Sequence, residues 1–178
     1  MNILLAFAPF LVFALVDRFV SPVAGLTSGA LVAAGLVVRD VVSRNRKVKV
    51  LEVGTLVLFT ALVIYALFGK MPSSIIWGRL CVDVGLLLIV LVSMAIRCPF
   101  TLQYAREKTP ETSWDKPEFI RVNYVITAVW AAAFAVMVAA DLVMFYLPEV
   151  PMRIGIWTTI IALYAAVKFT SWYPKRKP

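Results

Sequence analysis

The stretch VNYVITAVWAAAFAVMVAADLVMFY, Val122 to Tyr146, decides the fold. It runs for 25 residues with a single ionisable acid, Asp141. A helix rising 1.5 Å per residue needs about 20 apolar residues to cross a bilayer core of roughly 30 Å, so this stretch reads as a membrane span. Composition extends the reading to the whole chain. Hydrophobic residues make up 62% of 178 positions and the mean hydropathy is +0.89. A soluble domain uses about 45 to 50% apolar residues and leaves much of its surface wet, so the solvent for this chain is lipid.

Five further apolar segments flank the first: Ile3 to Val20, Pro22 to Val38, Val50 to Phe68, Ser74 to Ile96, and Ile154 to Phe169. The chain is therefore expected to be one all-α transmembrane domain over residues 1–178, a polytopic membrane protein with six transmembrane helices. The first two segments are the shortest, and a membrane-embedded hairpin that never crosses is the competing reading for them. The intervening VDRFVSP (Val16 to Pro22) is polar enough for a tight turn at the surface. The first sixteen residues carry no Lys or Arg, so this segment is expected to belong to the mature protein and not to a signal peptide.

Charge sets the expected orientation. Fourteen of the 18 Lys and Arg residues fall in the loops after the second and fourth segments and at the C-terminal end, leaving Arg18, Lys70, Arg79 and Arg153 for the other side. Positively charged loops stay in the cytoplasm, so both termini are expected there. The net charge of +8 is spread over short loops in place of one basic patch, which argues against nucleic acid as a partner. Trp77, Tyr146, Trp157, Trp172 and Tyr173 lie near expected span ends, where amphipathic rings favour the headgroup region.

The chain has no histidine, which removes the commonest general base and the usual haem, copper and catalytic zinc ligands. Cys81 and Cys98 are seventeen residues apart on one expected helix and cannot meet in a disulfide. With no glycine-rich phosphate loop and no Gly-x-Ser-x-Gly elbow, the expectation is no catalytic residues, no metal site and no cofactor.

Charges inside the spans are the candidate functional residues. Asp141 lies five residues before Tyr146 and Asp83 six after Trp77, so both stand about 7 to 9 Å inside the same boundary. Arg79 precedes Asp83 by one helical turn, and Asp17 with Arg18 closes the first span on that side. A lipid-facing carboxylate near the midplane costs on the order of 3 kcal/mol, so these groups are expected to face inward and pair. Either they form an ion-pair cluster fixing helix register, or they line a cavity where a carboxylate exchanges a proton or cation. Asp141 has no partner at helical spacing and is the stronger functional candidate.

Two other features stand out. Gly25, Gly29 and Ala33 give the second span a smooth face for close helix packing, as Ala132, Ala135 and Ala139 do on the fifth. Packing within the chain is the favoured use, and a homo-oligomer is left open. The loop 97–121 is the long polar stretch, with Phe100, Tyr104, Trp114 and Phe119 interleaved with charge, and it reads either as a partner-docking surface or as a solvated connector. Pro99, Pro110 and Pro117 limit it to short helical pieces.

The order of features resembles the bacterial intracellular septation protein A family of inner-membrane proteins. The resemblance rests on FAPFLVF (Phe7 to Phe13), RNRKVKVLE (Arg44 to Glu52), SIIWGRL (Ser74 to Leu80), CPF (Cys98 to Phe100), VWAAAF (Val129 to Phe134) and YLPEVPMRIGIW (Tyr146 to Trp157). It implies a place in the bacterial inner membrane and a role in cell-envelope synthesis or division through contacts with other inner-membrane proteins and with membrane lipids. Asp141 falls where the family typically has a neutral Asn, Asp83 has no acidic counterpart there, and Asn123 precedes Trp130 by more residues than is usual. The alternative is a small transporter or channel using Asp141 and Asp83.

Overall fold

The computed structural model describes residues 3–43, 48–69 and 74–175, and these residues are helical with no strand among them. Eight α-helices follow in order: α1 Ile3–Ala6, α2 Ala8–Phe19, α3 Pro22–Val42, α4 Val50–Phe68, α5 Ile75–Ala95, α6 Phe100–Arg106, α7 Pro117–Tyr146 and α8 Met152–Trp172. Five of the helical stretches, α3, α4, α5, α7 and the one from Met152 to Lys175, are long and apolar enough to cross a membrane. The expected first span is instead broken at Phe7 into pieces of 4 and 12 residues, and neither is among the five. At roughly 18 Å, α2 is shorter than a hydrocarbon core.

Proline places many of the helix starts. Pro9, Pro22 and Pro117 occupy the first turns of α2, α3 and α7, while Pro99 and Pro151 immediately precede α6 and α8. Proline has no N–H to lose in the first turn and its fixed φ suits a helix there. Ser21 completes the α3 start, its hydroxyl accepting from the Ala24 N–H at 3.2 Å. Two expected segments are longer than hydropathy gave: α7 begins at Pro117, five residues before Val122, and α3 continues at its other end through Arg39 and Asp40 to Val42.

Where the sequence reads as one continuous domain, the chain divides into two compact units, Asn2–Ile89 and Val90–Pro178. The core of the first is built from Phe13, Leu26, Phe59 and Val82, with Phe10 against it. Phe59 meets Phe10 and Phe13 at ring-centre distances of 5.3 and 5.7 Å. Glycine makes room for these contacts. A Cβ on Gly29 would stand 2.7 Å from the Phe59 ring, and one on Gly25 would stand 2.9 Å from the Asp17 backbone nitrogen.

In the second unit, α5 ends in a turn that sends the chain back. The Cys98 N–H donates to Ser93 O and the Arg97 N–H to Met94 O, with Arg97 at φ 56°, the left-handed position that helix ends usually give to glycine. The unit then closes on α7, whose buried stripe of Asn123, Thr127, Trp130, Phe134, Met137, Asp141 and Met144 repeats every three and four residues. The Trp130 ring sits 6.2 Å from Phe100 and 5.7 Å from Phe134, and its Nε1–H donates to Thr170 Oγ1 on α8 at 2.9 Å.

Candidate functional site

Every carboxylate singled out from the sequence inside a span is buried. In the first unit Asp17 and Asp83 are enclosed, and the positive charge of half-buried Arg79 acts on Asp17. The Asp17 side chain lies where α2 meets the bare face of Gly25, and its Oδ1 has no hydrogen-bond partner among the described residues. Arg18, expected in the same cluster, is exposed instead. Its neighbour in sequence faces inward, and successive helical residues point about 100° apart, so one chain position cannot deliver both charges to the cluster. In the second unit Asp141 is only 1% exposed, one step along the α7 stripe from Met137 and Met144.

The small-residue faces diverge. Gly25, Gly29 and Ala33 are all buried inside the first unit, consistent with close packing within the chain. Ala132, Ala135 and Ala139 are exposed, so that face of α7 is not covered by its own unit. Between α7 and α8 it borders a shallow apolar groove of about 380 Å³ lined by Val129, Ala132, Val136, Ile161 and Ala165.

The polar loop is folded and not a loose connector. Helix α6 buries Phe100, Thr101, Leu102 and Tyr104. The Thr101 hydroxyl bridges to Asn123 O at 2.9 Å and to the Thr127 hydroxyl at 2.7 Å, and the Phe100 N–H donates to Ser93 Oγ at 3.2 Å. Phe100 and Tyr104 are therefore core residues, out of reach of a partner, because each stands on the inner face of an amphipathic helix the sequence disguises as a charged loop. Trp114 and Phe119 are half-buried. Trp114 donates its Nε1–H to Thr109 O at 3.0 Å and lies under the Arg106 guanidinium, 5.5 Å from ring centre to Cζ.

Sequence reading missed one constellation. Asp40, at the end of α3, accepts from Arg39 Nε at 3.0 Å and Nη2 at 2.8 Å on one oxygen, and from Lys49 Nζ at 2.7 Å on the other. Glu52, in the first turn of α4, lies 3.7 Å from Lys49 and 3.8 Å from Arg39. Asp40, Lys49 and Glu52 are buried, Lys49 to 2% exposure, while the Arg39 side chain keeps 31%. Adjacent Arg39 and Asp40 on one helix, facing Lys49 and Glu52 three residues apart at the start of the next, were the available signal. The rule that loop-flanking charge is solvated hid it.

Cys81 and Cys98 are both free, and no group of three or more potential metal ligands forms among the described residues. No protein-family model, curated protein or solved structure matches the chain.

Proposed function

We propose that the chain is a six-span protein of the bacterial inner membrane, cytoplasmic at both ends, that serves cell-envelope synthesis or septation by contacting other membrane proteins and performs no reaction of its own. The folded loop carries this reading. From Glu107 to Glu118 it offers exposed charges of both signs, Glu107, Lys108, Glu111, Asp115, Lys116 and Glu118, on a surface stiffened by the Arg106–Trp114 stack and the α6 anchor. A rigid mixed-charge surface suits selective docking, because little ordering entropy is lost on binding. The α1–α2 segment supplies the sixth crossing if Ile3 to Phe19 acts as one broken span, and the resemblance to the septation family supplies the setting.

The test is complementation. A strain lacking the chain should show a division or envelope defect that the wild-type gene repairs. A variant with Glu111, Asp115 and Lys116 reversed in charge should reach wild-type levels in the membrane and fail to repair it. Full repair by that variant removes the loop as the docking surface, and a strain without any envelope defect removes the septation reading.

A second reading, transport of a proton or charged solute, is favoured by the buried Asp17 oxygen beside Arg79 together with buried Asp83 and Asp141. Proteoliposomes carrying Asp83→Asn or Asp141→Asn should then lose a flux the wild type supports, and absence of any wild-type flux excludes it.

A further inference from the structure

The apolar groove between α7 and α8 lies wholly within the second unit, about 380 Å³ between Val129, Ala132 and Val136 on one helix and Ile161 and Ala165 on the other. Both helices carry a cation toward the same end of it. Arg121 stands about three turns before Ala132 on that face of α7, and Lys168 about two turns after Ile161 on that face of α8. The 3₁₀ turn Tyr173–Lys175 that follows α8 packs against α7 and brings Lys175 to this end as well. All three cations are exposed, and none of them forms an ion pair among the described residues, not even Arg121 with Glu118 one turn before it.

Lys168 adds an independent observation. Exposed Trp172 marks the headgroup level at this end, and Lys168 lies four residues, or about 6 Å, deeper. A lysine near a span end ordinarily extends its ammonium outward to the headgroups. Here Nζ turns the other way, over the ring of Tyr164 one turn further in, at 5.7 Å from the ring centre. A positive charge held at that depth on a lipid-facing surface calls for an anion that reaches it from the bilayer.

The dimensions fit a lipid. From Arg121 to Val136 is 15 residues, about 22 Å by helical rise, which matches one leaflet with its headgroups at roughly 20 to 22 Å. A second copy of the chain fits less well. Two copies share one orientation in a membrane, so a two-fold axis along its normal would set these cations against their own counterparts, and like charges facing each other oppose association.

We propose that the α7–α8 groove is a binding site for one anionic phospholipid, with an acyl chain along Val129 to Val136 and the phosphate among Arg121, Lys168 and Lys175. Basic pockets at the ends of packed spans select charged headgroups in this way. The site goes beyond the docking function and does not depend on it.

The test is lipid titration of the full protein in neutral detergent, followed by native mass spectrometry. The first phosphatidylglycerol bound should have a lower Kd than the first phosphatidylcholine, and added inorganic phosphate should leave that Kd unchanged. Arg121→Gln and Lys168→Gln should each raise the phosphatidylglycerol Kd about fivefold. Arg153→Gln, the same charge change at the other end of α8, should leave it as in the wild type. Ala165→Trp, which fills the groove from an exposed position, should abolish the selectivity while the melting temperature holds. Equal Kd for the two lipids in the wild type overturns the proposal with no variant needed. It is also overturned by displacement with inorganic phosphate, by equal effects of Arg153→Gln and Lys168→Gln, or by full selectivity in Ala165→Trp. A wild-type dimer that Ala165→Trp dissociates gives the groove to a second copy and overturns it too.

Discussion

At the α3–α4 junction of the first unit the buried polar contacts join full charges, Asp40 to Lys49 and Arg39, whereas around α6 and α7 in the second they join hydroxyls, a backbone carbonyl and an indole, Thr101 to Asn123 and Thr127, and Trp130 to Thr170. Both solutions answer the same problem. Lipid gives helices no hydrophobic reason to associate with one another, so close packing and polar contacts must hold them. The difference lies in what failure costs. A neutral hydrogen bond is worth about 1 kcal/mol and its loss leaves a modest penalty, but removing one partner of a buried ion pair strands the other.

The largest expected effect follows from that asymmetry. Asp40→Ala takes away the 2.7 Å carboxylate partner of Lys49, which is 2% exposed, and should lower stability by about 3 to 5 kcal/mol in thermal unfolding of the purified protein. Smaller, and still in the first unit, Gly29→Val puts a branched side chain where a Cβ already stands 2.7 Å from the Phe59 ring, for a loss of about 1 to 3 kcal/mol by the same assay. In the second unit Thr101→Val removes two neutral hydrogen bonds without stranding a charge and should cost about 0.6 to 1.7 kcal/mol. If Thr101→Val proves as damaging as Asp40→Ala, the contrast between the units fails. The smallest change has the opposite sign: Arg97→Gly relieves a left-handed residue at φ 56° and should raise stability by up to about 1 kcal/mol, seen as a higher melting temperature.

The spans of the fold were legible because lipid imposes length and composition together. Val50 to Phe68 is found with the same ends in the structure, and the Val122 to Tyr146 stretch keeps its C-terminal end. Boundaries moved where local chemistry outweighed hydropathy: Pro117 sets the start of α7, and α3 continues through Asp40, whose charge is paired with Arg39 and Lys49. The first segment broke at Phe7, where Pro9 sits in the first turn of the helix that restarts, a signal that hydropathy does not register. The inward burial of Asp17, Asp83 and Asp141 followed from the cost of charge in lipid, and the close packing of Gly25 and Gly29 from their spacing. The α3–α4 cluster was hidden because its four charges lie beside a loop, where hydropathy treats every Lys and Arg as solvated. Helix α6 was hidden for the converse reason: its buried Phe100 and Tyr104 are diluted by Gln103 and Arg106 on the outer face.

The withdrawal of Arg39 and Lys49 into the first unit also bears on biogenesis. A polytopic chain acquires its orientation as segments enter the bilayer, before neighbouring helices have paired. At that moment both cations still count with Arg44, Arg46 and Lys47 as an address label for the segment between α3 and α4. In the folded hairpin Asp40 neutralises part of that charge, so two cations that the positive-inside rule counts as loop charge serve in the fold as partners of one buried carboxylate.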